Sequence, residues 1–494
     1  MPETASSQPG SEGSSQSLSL LDQIVLDGKM ARDTSQQPYA RDLIQEFVGQ
    51  VLDEGMKVSA DTVMSIKSRI EDIDRLLSAQ LNEIMHDPDF QKLEASWKGL
   101  SYLVMNSETG SELKIRLLNV TKNEVVADLE KAVEFDQSVL FKRIYEDEYG
   151  TFGGNPYSVL VADFQFGRHP QDIATLTKIS GVAAAAHAPL ISAADPKLFD
   201  WESFTEMNVP RDLAKGFETA ELAAWRSFRD SDDSRYVTLT LPHILLRLPY
   251  GPDTKPVEGF NFVEDVTGKD HSKYLWGNSA YALAQRISEA FSNHHWCAAI
   301  RGVEGGGKVS GLPVHTFKTD QGDKVMKCPT EIAITDRREK ELSDLGFISL
   351  CHCKNEDYAA FFGGQTTNKP NTNYNTIEAR ANARISSMLP YILASSRFAH
   401  YLKVMMRDKV GSFTTRDGVE KFLNTWLSDY ILLNDDAPQS VKAKYPLRDG
   451  RVDVTEVPGK PGAYKAVVFL KPHFQLDELT VSLRLVAELP PPAA

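Results

Sequence analysis

The sequence predicts a multi-domain protein of mixed class, α/β through its middle and α+β toward its C-terminal end. Three observations carry this. The nearly continuous apolar run Tyr157–Ala162 suits a strand buried on both faces. A helical stretch (about Gln171 to Ala185) and a second apolar run, Pro189–Ala193, follow it and complete one βαβ unit. Apolar residues step at helical spacing before this unit, and a helix, a hairpin and an alternating strand come after it. At 494 residues the chain has room for about three domains of ~150 residues.

Taken in order, residues 1–17 are rich in Ser, Gly and Gln and bury too little to order themselves. The short apolar run Leu18–Val25 cannot fold alone and reads as a segment that docks elsewhere, as an added strand. Leu43, Ile44, Phe47, Val48, Val51 and Leu52 mark a first helix. Val63, Ile66, Ile70, Ile73, Leu77, Leu81 and Ile84 mark a second, close to a heptad seam for a partner helix, although packing on its own core explains the spacing equally. A third opens at Asp87-Pro88, an acidic N-cap followed by Pro at the first helical position. Leu113, Ile115 and Leu117 alternate as a strand, and Trp296–Ile300 reads as another. A helix from Ile385 to Met406 is interrupted near Pro390. Asp417 and Glu420 stand at capping-box spacing ahead of Val419, Phe422, Leu423, Trp426 and Leu427 on one helical face. A hairpin follows, Arg451–Val457 and Tyr464–Leu470, and a last strand places Leu479, Val481, Leu483, Leu485 and Ala487 on one side.

Composition excludes several classes. With 54 basic and 68 acidic residues the net charge is −14, which argues against a nucleic-acid partner. Four cysteines make no disulfide framework and point to a reducing, cytoplasmic setting. No run approaches the ~20 apolar residues of a membrane span, and the N-terminus lacks a signal-peptide core.

The chemistry in the sequence is sparse. Gly302-Val303-Glu304-Gly305-Gly306-Gly307-Lys308 fits a phosphate loop except that Val309 replaces the magnesium-binding hydroxyl, and Ser310-Gly311-Leu312-Pro313 cannot begin the helix that should receive the phosphate. It reads as a glycine-rich turn. Cys351-His352-Cys353 is too tightly spaced for a zinc knuckle and reads as a buried strand. Asp163, Arg168, His169 and Asp172 follow a strand's C-terminal end, where α/β enzymes place catalytic groups, but capping and salt links explain them as well. His294-His295 lacks an acidic third member, and His400 stands alone on an apolar helix. The charge run Asp336–Glu341 is either a solvated face or a surface for complementary charges. The residues alone suggest a component of an assembly, with no catalytic residues, cofactor or metal ligands to name.

Several long strings resemble the large sheath subunit of the bacterial type VI secretion system, the TssC/VipB family (also called EvpB). They are DPDFQKLEASWKGLSYLV (87–104), FQFGRHPQDIATLTKISGVAAAAHAPLISAADPKLF (164–199), YLWGNSAYALAQRISEAF (274–291), WCAAIRGVEGGGKVSGLPVHTF (296–317), CPTEIAITDRREKE (328–341) and PHFQLDELTVSLRLVAEL (472–489). Lys308 and His243 depart from the resemblance, which carries an apolar residue and an arginine at these places.

The resemblance implies a structural protein with a sheath-subunit fold. It divides the chain into a tail (1–17), a linker with a donated strand (18–37), an N-terminal helical region (38–105), a central α/β sheath domain (106–378) and a C-terminal sheath domain (379–494). It implies pairing with a small sheath subunit (TssB/VipA-like) and stacking of the heterodimers around an inner tube of hexameric rings. Assembly from a baseplate, contraction, and recycling by an AAA+ ATPase complete the picture, with no nucleic acid and no membrane insertion. Strands shared between subunits would involve Leu18, Leu20, Ile24, Val25, Val467, Phe469, Val481, Leu483 and Leu485. The partner-helix seam would be Val63, Ile66, Ile70, Ile73 and Leu77, and the inner-tube contacts Arg397, Lys403, Arg407 and Lys409. The rivals are a nucleotide-dependent enzyme or scaffold using the 302–308 loop, and a phage-like tail sheath built from one sheath protein.

Overall fold

The structure, a computed structural model, describes residues 19–31, 33–52, 62–209, 211–319, 321–371, 373–412, 415–459, 462–473 and 475. The chain divides into two units, residues 1–79 with 259–262, and residues 80–258 with 263–494.

In the first unit the segment expected to be extended is a helix, α1 (Leu20–Asp27). The reason is local. The Ser19 hydroxyl oxygen accepts the Asp22 amide at 3.2 Å and the hydroxyl donates to the Asp22 carboxylate at 2.6 Å, which caps the first turn. The Gly28 amide closes the last turn on the Ile24 carbonyl. Leu18 lies outside the described residues. Helix α2 (Gln37–Leu52) follows, and its Arg41 pairs with Asp22 at 3.6 Å. Helix α3 begins in this unit and spans Thr62–Met85, as the apolar spacing predicts.

The second unit opens with α4 (Pro88–Met105), whose cap is the expected one: the Asp87 carboxylate accepts the Asp89 and Phe90 amides. The strand expected around Leu113–Leu117 does not form. The segment is unpaired, and Leu117 is exposed. Alternation places apolar residues on one face, but a strand also needs a neighbour for its amides. Helix α5 (Lys122–Lys131) starts on a complete capping box between Thr121 and Glu124.

A six-stranded sheet organises this unit. Strands β1 (Leu160–Phe166), β2 (Leu190–Ala194), β3 (Val237–Leu241), β4 (Lys308–Val309), β5 (Phe347–His352) and β6 (Ala359–Phe361) lie in the order β1-β2-β3-β5-β6-β4. The first three pairings are parallel and the last two antiparallel. Helix α6 (Pro170–Ala186) makes the β1–β2 crossover that the sequence predicts. Every residue of β2 and β3 is buried, because both faces carry a core. Leu190 and Phe347 join Leu176, Phe204 and Trp225, the last on helix α7 (Ala223–Asp230); Ile191 and Ile348 join Phe361 together with Leu283 and Ile287 of helix α8 (Ala280–His294). Each fully buried side chain of this size contributes roughly 2 kcal/mol.

Arg247 ties this unit together. Its guanidinium is buried between the carboxylates of Glu94 on α4, at 2.7 and 3.2 Å, and Glu264, at 2.7 and 3.1 Å. Glu264 also accepts the Tyr250 amide at 2.8 Å.

Toward the C-terminus, α9 (Asp336–Asp344) holds the mixed charge run. Helices α10 (Ile377–Ile385) and α11 (Leu389–Asp408) replace the single interrupted helix; Pro390 sits in the first turn of α11, where its missing amide costs nothing. Helix α12 (Arg416–Ser428) is capped by Thr415, which accepts the Gly418 amide, and Asp417 is one residue inside the helix. Glu420, the other half of the expected box, instead accepts the Val454 amide.

His400 on α11 is 2% exposed, and its Nε2 donates to the Ala186 carbonyl at 2.9 Å, joining α11 to the end of α6. Burial pushes its ring down to about 4. Above the ordinary value near 6.5 neither folded nor unfolded ring is protonated, so stability is level. As the pH falls from 6.5 toward 4 the unfolded ring takes a proton that the buried ring refuses, and stability drops by up to about 3 kcal/mol. In a His400→Gln variant the loss over that window should be smaller than in the parent, as urea midpoints at pH 7 and pH 4.5 would reveal. Identical losses would show that His400 does not set it.

Candidate assembly interface

The glycine-rich turn is built against phosphate binding. Its Gly302 amide bonds the Phe361 carbonyl at 2.7 Å, and its Gly307 amide bonds the Gly302 carbonyl at 2.8 Å. Amides that would cradle phosphate are therefore spent on the loop itself and on β6. Gly306 has φ +94°, and a Cβ there would stand 2.2 Å from the Ala299 carbonyl, so close backbone approach explains the glycines. Lys308 turns to the Tyr358 ring, 4.2 Å away, and Val309 is fully buried in β4. The strand expected over Trp296–Ile300 is absent. Trp296 stacks on Phe398, and the segment is held by side-chain burial instead. Lys308→Ala should leave assembly unchanged, since a partly exposed cation–π contact contributes about 0.5–1 kcal/mol. Nucleotide binding that vanished in this variant would revive the enzymatic reading.

The other candidates for chemistry are fastened to structure. Arg168 pairs with Asp200 and Glu221, His169 caps α6, and Asp172 pairs with Lys122 while accepting the Gly167 amide. Asp163 receives the Asn278 amide group at 3.3 Å. His295 ends α8 in a left-handed conformation. Cys351 is buried in β5, and His352 bonds the Glu356 carbonyl at 2.8 Å. Glu331, which sequence reasoning missed, collects hydrogen bonds from His243 (2.5 Å), Ser203 (2.7 Å) and His271 (3.3 Å). Burial alone would raise its carboxyl, but these bonds hold it far below the usual range. With Nδ1 on Glu331 and Nε2 on Gln165 at 2.8 Å, His243 spans two partners with a short side chain.

The assembly candidates are exposed. On α3, Ile66, Ile70, Ile73 and Leu77 form an apolar stripe, each between 42% and 51% exposed; nothing is described for the side chain of Val63. On α1, Val25 is buried while Leu20 and Ile24 are open to solvent.

The C-terminal hairpin pairs β7 (Leu447–Glu456) with β8 (Tyr464–Pro472). Val452 and Val454, with Ala466, Val468 and Leu470, pack on Leu423 and Leu427 of α12. Val467 and Phe469 alternate to the opposite face and are exposed. The two edges differ. The outer edge of β7 is closed by α12: Asn424 donates to the Val452 carbonyl at 2.8 Å and accepts its amide at 2.9 Å, and Glu420 accepts the Val454 amide at 2.9 Å. Among the described residues β8 has no second neighbour. Val481, Leu483 and Leu485 lie outside them.

The basic residues on α11 and at its C-terminal end are engaged within the unit. Arg397 lies over Tyr401, Lys403 over Tyr149 at 3.3 Å, and Lys409 over Phe422. Arg407 donates to the carbonyls of Tyr149 and Thr151.

Among the described residues no group of His, Cys, Asp and Glu is arranged to hold a metal, and no helix is long and apolar enough to cross a membrane. Among the described residues β8 has one edge without a second strand and α3 carries an exposed apolar stripe, features that suit a structural subunit of an assembly. Two family models match the chain: the EvpB/VC_A0108 tail sheath N-terminal domain over residues 67–368, and the tail sheath gpW/gp25-like domain over residues 378–489. The chain belongs to this family of contractile tail-sheath proteins. It is 50% identical over 453 residues to the type VI secretion system sheath protein TssC1 of Pseudomonas aeruginosa, covering 90% of each. Two solved structures are also similar. The contracted helical sheath of the anti-feeding prophage matches at 10% identity and TM-score 0.31, over 62% of this chain and 66% of that one. The contracted sheath complex of the extracellular contractile injection system PVC matches at 8% and 0.34, over 63% and 68%.

Proposed function

We propose that this chain is the cytoplasmic large subunit of a type VI contractile sheath and performs no catalytic step. It pairs with a small sheath subunit through the apolar stripe of α3, and the heterodimers stack into a helical tube around an inner tube. A baseplate starts the tube and a ring-shaped ATPase recycles it, so nucleotide chemistry belongs to a partner. The observation that carries the reading is the asymmetry of the C-terminal hairpin. The β8 edge, open among the described residues, accepts a strand by main-chain hydrogen bonds, which join neighbours whatever their side chains. The segment 18–25 of a neighbour is the donor, with residues 27–37 as its tether. As a donor it must leave the helical form it has in the free chain, and a helix of eight residues is marginal on its own, so little opposes this. Co-expression with the small subunit, followed by negative-stain imaging, should yield tubes that neither protein forms alone. Tubes from this chain alone would favour a one-protein, phage-like sheath.

A further inference from the structure

Lys403 and Arg407 border a cleft of about 110 Å³ between the 148–156 segment and the C-terminal half of α11. The cleft is built by an unusual backbone. Residues Lys142–Tyr149 form a π-helix; Phe141 stacks on Tyr145 at 4.7 Å, and Tyr149 lies tilted against Tyr145 at 5.2 Å. The Lys403 ammonium rests on the Tyr149 ring. Arg407 anchors the following loop through two carbonyls and lies over Phe152.

The charges in this cleft do not balance. Among the described residues no carboxylate comes within ion-pair reach of Lys403 or Arg407. Of the two acids in the lining, Glu148 is tied to Arg116 and to the Asn155 amide, and Asp408 follows Arg407 without bonding it. A partly buried cation without a counter-charge is costly. The cost is visible in Lys403, which burial, and then the charge of Arg407, push down to about 8 from 10.5.

We propose that this cleft is an oxyanion site, in which Lys403 and Arg407 together receive one phosphate or carboxylate group. The cleft has room for a single tetrahedral or carboxylate group beside the two cations. Charge-assisted hydrogen bonds from both cations would then replace the missing counter-charge. The source is either free inorganic phosphate or an acidic side chain of a neighbouring sheath subunit.

Acetylation of the heterodimer at pH 8, read residue by residue by mass spectrometry, tests this with inorganic phosphate as the probe and chloride at equal ionic strength as the control. An anion that returns the Lys403 ammonium toward 10.5 should cut its free-amine fraction, and its labelling, more than about tenfold, leaving other lysines unchanged. Arg407→Gln, which keeps a donor for the loop carbonyls but loses the charge, should abolish that protection. Protection by phosphate in the heterodimer identifies a free oxyanion. Protection seen only in assembled tubes, and lost in tubes of Arg407→Gln, identifies a neighbour's carboxylate. Labelling that phosphate does not slow, together with tube labelling that is either undiminished or equally diminished in Arg407→Gln, overturns the proposal. The phosphate arm does not depend on tube formation, so its failure is separable from a failure of the sheath assignment.

Discussion

Arg247→Ala should destabilise the larger unit by about 3–5 kcal/mol, the largest single-residue effect expected in this chain. Truncation removes four charge-assisted contacts and leaves Glu94 and Glu264 facing each other in a site from which water is largely excluded. The loss is mostly the cost of stranding two carboxylates rather than the net contribution of the network. Desolvation opposes the charged guanidinium, but the carboxylates of Glu264 and Glu94 outweigh it and raise the group above its ordinary value. That distinction can be measured. Arg247→Met combined with Glu94→Gln and Glu264→Gln keeps an acceptor for the Tyr250 amide and strands no charge. It should recover more than half of the lost stability in urea unfolding followed by circular dichroism. A triple variant as unstable as Arg247→Ala would mean that the network itself holds α4 in place.

Deleting residues 1–28 should leave the heterodimer intact and abolish tube formation, a complete loss by electron microscopy. The deletion removes α1 and the proposed donor, while the apolar stripe of α3 and the whole larger unit are untouched. Tubes of normal length from the truncated chain would sink the tether model. A truncated chain that no longer captures the small subunit would instead place residues 1–28 in the heterodimer contact.

Much of the fold was legible because its signals are local. The βαβ unit, the Asp87-Pro88 helix start and the hairpin follow from periodicity, capping and turn residues that act within a few positions. What was not legible depends on distant partners. Leu113–Leu117 alternates like a strand yet finds no neighbour, and Trp296–Ile300 is apolar because Trp296 meets Phe398 a hundred residues away. The helix at Leu20–Asp27 was misread because its apolar content suggested docking, whereas the Ser19–Asp22 cap favours a helical turn until a partner is present. The glycine-rich turn could be excluded as a phosphate site from Val309 and Pro313 alone. The cleft at Lys403 could not be found, since Arg397, Lys403 and Arg407 on α11, with Lys409 just past it, announce only a basic helix end. The aromatic rings against which Lys403 is partly buried lie about 250 residues earlier.

The sealed edge of β7 bears on how the proposed sheath would grow. Because Asn424 and Glu420 occupy the outer edge of β7, the described part of the hairpin leaves only its β8 side for an added strand. A particle with one acceptor and one donor, placed on different parts of the chain, cannot satisfy itself in a closed symmetric pair by matching edge to edge. It joins head to tail, and unless the rotation closes into a ring the series continues as a filament with a direction. In the proposed assembly Asn424 and Glu420 would therefore act as a growth rule, making the polymer polar and keeping this hairpin from branching it.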